Sequence, residues 1–393
     1  MRIEQAVILA AGEGQRLRPL TVLKPKVMIP IADKPILQYV VEALAANGVR
    51  HIIMVVGYRK EQVQDYFGSG EKLGVEIDYI VQKQQLGTAH ALMHAKDAVA
   101  DRFLVLPGDN IIKSDTIAPL VEAKPSIILV KKQENVSKYG VVTARKGTVE
   151  EIVEKPQEAT SNLVNTGIYS LDRGMFEFVE EEVELPMVLN SMIARGYEIA
   201  SQETDGIWLD AVYPWDILRL NDIALGAVSL STAGTVEKGV TMKGAVSIGK
   251  GTVIRAGSYL VGPLIIGENA EIGPHACIFP ATSIGDQVTI SPFSQIRNSA
   301  IGNGVHIGPG SILEDSIVDR GSVLGGHFTA FSAGAVIEVE GEYHNVHTGT
   351  VVGEHCAIEE NVTARPGVIL GNNSRVSALK LLSGKIPDGS LVV

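Results

Sequence analysis

Two apolar periods divide the 393-residue chain. In the first, continuous apolar runs alternate with stretches of helical spacing. Ala6-Val7-Ile8-Leu9-Ala10-Ala11 is too short to cross a membrane and suits a strand buried on both faces. Lys34 to Leu44 has helical spacing and stops at Asn47-Gly48. His51 to Gly57 predicts a second buried strand, Glu61 to Phe67 a short helix, and Val75 to Val81 a third strand. This alternation predicts βαβ units in a doubly wound, mostly parallel α/β sheet, with ligands collecting at the carboxyl ends of its strands. Trp215 to Val228 reads as a helix that carries the chain out of a first domain, 1–228.

Beyond it, in a second domain, 229–393, apolar residues recur every six positions: Ile248, Ile254, Leu260, Ile266, Ile272, Ile278, Ile284, Ile290 and Ile296. The register slips by one at Ile301-Gly302 and resumes at Ile307-Gly308. A six-residue period gives one short strand and one corner per repeat, three repeats closing a triangular coil. Each coil buries its apolar column by stacking on the next. Residues 337–350 break the period and are expected to loop out before the coil returns at Val351-Val352-Gly353 and Ile358.

Charge and composition narrow the function. A net charge of −11 disfavours a broad nucleic-acid-binding face, so an anion site must be a local cluster of cations. Apolar residues make up 45% but aromatics 5%, which predicts a core of small and β-branched side chains. Cys277 and Cys356 offer neither a disulfide framework nor zinc spacing, and are expected to be packing groups or free thiols. The start does not resemble a signal peptide, and no stretch approaches membrane-helix length; a cytoplasmic protein is expected.

The local cluster follows the first strand. Gly12 and Gly14 permit a sharp turn that aims N–H groups at an anion, and Arg16, Arg18, Lys24 and Lys26 add cations. A dinucleotide fingerprint fits poorly. Its third glycine would be Leu17, and Asp33 lies in an Asp-Lys-Pro turn rather than at a strand end. After the third strand, Gln82 carries amide donors and an acceptor suited to a pyrimidine edge, Gly87 allows close approach, and Thr88 can cap a helix from Ala89 to Lys96. Apolar strands ending in Gly108-Asp109 and Trp208-Leu209-Asp210 deliver two carboxylates able to share Mg²⁺. Between them, Tyr139-Gly140, Glu154-Lys155 and Asn165-Thr166-Gly167 supply groups suited to sugar hydroxyls and a phosphate, or else turns and a surface ion pair.

These pieces, in this order, resemble the sugar-1-phosphate nucleotidylyltransferases, among them glucose-1-phosphate thymidylyltransferases and N-acetylglucosamine-1-phosphate uridylyltransferases. The resemblance covers residues 1 to about 225 and implies a Rossmann-like nucleotidyltransferase domain. It implies that Leu9, Ala11, Gly12 and Gly14 form the nucleotide loop, that Arg16 steadies the triphosphate, and that Lys26 binds at the reacting phosphates. Gln82, Gly87 and Thr88 would hold the uracil or thymine, Asp109 and Asp210 Mg²⁺, and Gly140, Glu154, Lys155 and Asn165 the sugar phosphate. Two positions depart from the family pattern: the usual Pro-Lys-Pro is Pro25-Lys26-Val27, and the usual glycine after the second metal aspartate is Val212.

The six-residue repeat resembles the left-handed parallel β-helix of hexapeptide-repeat proteins. That resemblance implies a homotrimer or higher homo-oligomer formed through the β-helix. Many such proteins transfer acetyl groups from acetyl-CoA, and Gly326-His327-Phe328-Thr329 resembles the site whose histidine is the base. The tyrosine and the asparagine-tyrosine loop that usually accompany it are missing, so His327 reads first as a structural corner and only second as that base. UTP and dTTP both remain open as nucleotide, and glucose 1-phosphate and N-acetylglucosamine 1-phosphate as acceptor. A non-catalytic regulatory subunit is the rival reading, opposed by the retention of Arg16, Lys26, Asp109, Lys155 and Asp210.

Overall fold

A computed structural model describes every residue except 1, 123–125, 135, 137, 159–160 and 180–182. The described residues pack as two units. The first holds the residues up to Glu13 together with Pro25–Met28 and Ile36–Asp210; the second holds Gly14–Lys24, Ile29–Pro35 and Ala211–Val393.

In the first unit the apolar runs become strands β1 (Gln5–Ala10), β2 (His51–Val56), β3 (Glu76–Val81) and β4 (Arg102–Pro107). They pair in parallel in the order β3-β2-β1-β4. Alternate residues feed two cores, one on each face. Ala6, Ile8 and Ala10 pack with helices α1 (Ile36–Ala46) and α2 (Lys60–Phe67). Val7 packs with α3 (Thr88–Met93). β1 and β2 are covered on both faces, which is why they read as unbroken apolar runs, whereas the edge strand β3 carries exposed Glu76 and Asp78.

Beyond β4 the sheet is mixed rather than a continuation of the parallel pattern. Counted with β5 (Asn110–Ile112), β6 (Ile127–Lys132), β7 (Gly140–Arg145), β8 (Thr148–Glu154), β9 (Leu163–Asp172) and β10 (Ala200–Glu203), its order runs β4-β9-β6-β10-β8-β7, with β5 outside it. β9 is antiparallel to both β4 and β6, and β8 to β7. Gly147 at a positive φ makes the short turn between β7 and β8, which allows a hairpin where a crossover would need many more residues. β5 pairs instead with β11 (Trp208–Asp210).

The second unit contains three parallel sheets whose strands stack coil upon coil, the left-handed β-helix of hexapeptide repeats. Ile248 aligns with Ile266, then Ile284, and the whole six-residue column is buried. Residues 333–348 leave the coil as expected, starting four residues earlier than the break in the period. They make an antiparallel hairpin, Ala333–Val339 with Glu342–Thr348, after which Val351 resumes the stack on Ile317. Residues 211–228 pack with this unit, because the apolar face of α4 (Asp216–Leu225) lies against coil strands.

Gly14–Lys24 also belongs to the coil's unit. Lys24 is buried with Nζ 2.7 Å from Asp319 and 2.8 Å from Glu354, and Arg320 Nε lies 2.8 Å from the other Glu354 oxygen. Burial opposes the charge on Lys24, but the two carboxylates outweigh it and hold its pKa above the usual lysine range. Burial likewise opposes the Glu354 charge, yet Lys24 and Arg320 hold that carboxyl below its usual range. The Asn372 amide donates to the Pro19 carbonyl at 3.1 Å.

Candidate active site

A cavity of about 770 Å³ opens in the first unit. It is lined by most of the residues picked out in that part of the sequence: Leu9, Ala11 and Gly12; Lys26; Gln82, Gly87 and Thr88; Asp109 and Asp210; Gly140, Glu154, Lys155 and Asn165. Gly14, Arg16 and His327 belong to the coil's unit.

The two aspartates reach the cavity through backbone register. β11 runs antiparallel to β5 with Asp210 opposite Asn110, so one strand pair delivers Asp109 and Asp210. Lys26 Nζ forms an ion pair with Asp109 Oδ2. Tyr139 Oη donates to Asp210 Oδ1 at 3.0 Å, with its ring 5.3 Å from that of Trp208. Asn110 is buried, and its Oδ1 has no hydrogen-bond partner among the described residues. No group of three His, Cys, Asp or Glu residues able to hold a metal occurs among the described residues. A carboxylate pair with an unsatisfied oxygen beside it suits Mg²⁺, which takes one or two carboxylates plus substrate phosphates rather than a full protein cage. Val212, which replaces the family's glycine, does not adopt a positive φ. Its amide and that of Tyr213 donate to Asp216 Oδ2 at 2.9 and 2.8 Å, so the turn after Asp210 needs no glycine there.

The base loop is tightly built. Gly87 has φ 152°, and a Cβ on it would lie 2.3 Å from the Val183 carbonyl oxygen, so glycine is required. The helix starts at Thr88 itself, one residue earlier than expected and ending at Met93. Thr88 does not cap it: its hydroxyl donates to Glu184 Oε2 at 2.7 Å, and the same carboxylate accepts from the Thr88 amide at 3.1 Å. Gln82 is buried, although a polar residue in a loop is ordinarily exposed.

On the sugar side, Glu154 pairs in register with Gly140, and a Cβ at 140 would lie 2.8 Å from its carboxylate. Burial pushes the Glu154 carboxyl above its usual range, against the pull of Lys155. Asn165 Nδ2 donates to Tyr169 Oη at 2.8 Å, and its Oδ1 accepts from the Gly167 amide at 2.9 Å.

Arg16 Nε lies 2.7 Å from Glu340 Oε2 at the hairpin tip, and both side chains are about half exposed. Nothing local in the sequence pairs them. His327 is exposed at a coil corner with φ 60°, its ring lying over Gly310. His275 over Gly257 and His355 over Gly321 repeat the arrangement, so a histidine stacked on the preceding coil's glycine is a recurrent corner of this fold. Cys356 is buried and Cys277 half-buried, both free.

The nucleotidyl transferase family profile matches residues 5–222, more than half of the chain, and spans this cavity. The chain belongs to that family. The second half matches the bacterial transferase hexapeptide (six repeats) over 237–280 and the GMPPB C-terminal domain over 260–337. The chain is 36% identical over 404 residues to a bifunctional protein GlmU of Methanococcus maripaludis, covering 98% of this chain and 96% of that one. It is 32% identical over 398 residues to a bifunctional sugar-1-phosphate nucleotidylyltransferase/acetyltransferase of Sulfurisphaera tokodaii, covering 95% of each. A crystal structure from Bacillus anthracis described as a glucose-1-phosphate thymidylyltransferase superposes with TM-score 0.53 at 30% identity, covering 58% of this chain and 97% of that one. Among the described residues no helix is long and apolar enough to cross a membrane.

Proposed function

We propose that the first unit transfers a nucleotidyl group from UTP or dTTP to a sugar 1-phosphate, glucose 1-phosphate or N-acetylglucosamine 1-phosphate, releasing pyrophosphate. The observation that carries this reading is the convergence of base-type, phosphate-type and sugar-type side chains on one cavity. A sugar-phosphate oxygen attacks the α-phosphorus in line as pyrophosphate leaves, so the protein's task is positioning and charge stabilisation. Lys26 neutralises charge on the transferred group. Gln82, Gly87 and Thr88 orient the base; Gly140, Glu154 and Asn165 hold the sugar, with Lys155 at its phosphate. Asp109 and Asp210 would hold Mg²⁺, which neutralises phosphate charge when bound. The test is Mg²⁺-dependent pyrophosphate release from pyrimidine triphosphates with each sugar phosphate.

Acetyl transfer from acetyl-CoA to glucosamine 1-phosphate at His327 is the second reading. It is favoured by the bifunctional relative that covers 95% of the chain. Thiol release from acetyl-CoA, abolished in His327→Ala, tests it. For the coil we propose assembly into a homotrimer or higher homo-oligomer, which sedimentation of the full chain tests.

A further inference from the structure

One contact beside the cavity has no part in the scheme above. Gln82 Nε2 lies 2.9 Å from Nδ1 of His90 and 3.5 Å from the Gly87 carbonyl oxygen. A carbonyl oxygen only accepts, so the end of the amide facing Gly87 is the –NH₂. That assignment makes His90 Nδ1 an acceptor and puts the imidazole proton on Nε2. The ring is held in place. The His90 amide donates to the Val183 carbonyl at 3.2 Å, His94 packs edge-on at 4.7 Å between ring centres, and His94 Nδ1 lies 2.9 Å from the His90 carbonyl oxygen. Gln82 itself lines the cavity, and its carbonyl oxygen makes no hydrogen bond among the described residues.

We propose that His90 is a positioning residue for base selection: it fixes the Gln82 amide so that an acceptor, not a donor, faces the nucleotide. The inference rests on the base-reading role given to Gln82 above. An acceptor matches the imino N–H of uracil or thymine. Cytosine has a bare ring nitrogen at that place and meets the amide oxygen acceptor to acceptor. A glutamine free to turn its amide over serves either base, whereas one held at its –NH₂ end does not. Sites that leave a buried polar group mismatched reject the wrong partner by large factors, up to roughly 10⁴–10⁵.

The experiment compares kcat/KM for UTP with that for CTP in full-length wild type, His90→Phe, His90→Asn and Gln82→Leu. His90→Phe keeps a ring but removes the acceptor, and is expected to lower the UTP/CTP ratio about tenfold or more, mainly through KM. His90→Asn, whose side-chain carbonyl accepts from Gln82, should restore most of it. A collapsed ratio in Gln82→Leu with an unchanged one in His90→Phe overturns the role of His90 and leaves base reading intact. An unchanged ratio in both overturns the base-reading role itself. Histidine ¹⁵N shifts of the wild type, with His90 assigned by its loss in His90→Asn, give a second arm independent of whether His90→Phe folds. A protonated Nε2 with bare Nδ1 is expected; a proton on Nδ1 overturns the proposal.

Discussion

The ammonium of Lys26 is paired with the carboxylate of Asp109, 83 residues further along the chain. One is a cation proposed to meet the reacting phosphates, the other a proposed Mg²⁺ ligand, and each holds the other at the cavity wall.

Removing either should therefore damage catalysis more than folding. Losing one well-aimed charge costs about 3–4 kcal/mol of transition-state stabilisation, a hundredfold or more in rate. Lys26→Ala and Asp109→Asn should fall by that factor in pyrophosphate release while melting near the wild type. Normal turnover in both variants would contradict their assignment.

Arg16 and Glu340 form an exposed pair, and such pairs are worth about 0–1 kcal/mol. Glu340→Gln should leave thermal stability nearly unchanged. Arg16→Ala should do the same, since it removes the other half of one exposed pair. Thermal melts of both variants check this, and a loss of several kcal/mol in either would contradict it.

The Lys24 network should set stability at both ends of the pH range. The pKa of Glu354 is lowered on folding, so its contribution is complete above the ordinary carboxylate range and is lost as pH falls through its own depressed value. The pKa of Lys24 is raised, so its contribution is complete below the ordinary lysine range and is lost as pH rises through the raised value. Leaving one partner of a buried pair alone costs about 3–5 kcal/mol. Denaturant titrations should show Asp319→Asn and Glu354→Gln destabilised by about that much at neutral pH, with Glu354→Gln losing the acid dependence.

Gly87→Ala should disrupt the base loop, since its Cβ would meet the Val183 carbonyl. Strain of this kind costs about 1–3 kcal/mol. A higher nucleotide KM with an unchanged sugar-phosphate KM is the expected kinetic signature.

Much of this was legible in one dimension. The isoleucine column from Ile248 to Ile296 is a strict repeat, and a repeat that buries one residue in six needs no distant information. Asp109 and Asp210 were visible because each ends an apolar strand. The mixed half of the sheet was not, since a strand's apolar pattern does not encode the direction of its partners. Nor was the packing of Gly14–Lys24 with the coil: Lys24 finds Asp319 at a separation of 295 residues, with no local signal in either segment. His90 carries no signal in the sequence beyond its place in a helical stretch; the fold sets its ring against Gln82.

The most direct test of the account is pyrophosphate release with Mg²⁺, run as a grid of UTP, dTTP, CTP and GTP against glucose 1-phosphate and N-acetylglucosamine 1-phosphate. The account predicts turnover with UTP or dTTP and at least one of the two sugars, and little with CTP or GTP. A blank grid from folded protein would contradict it and favour a non-catalytic subunit that has kept the fold.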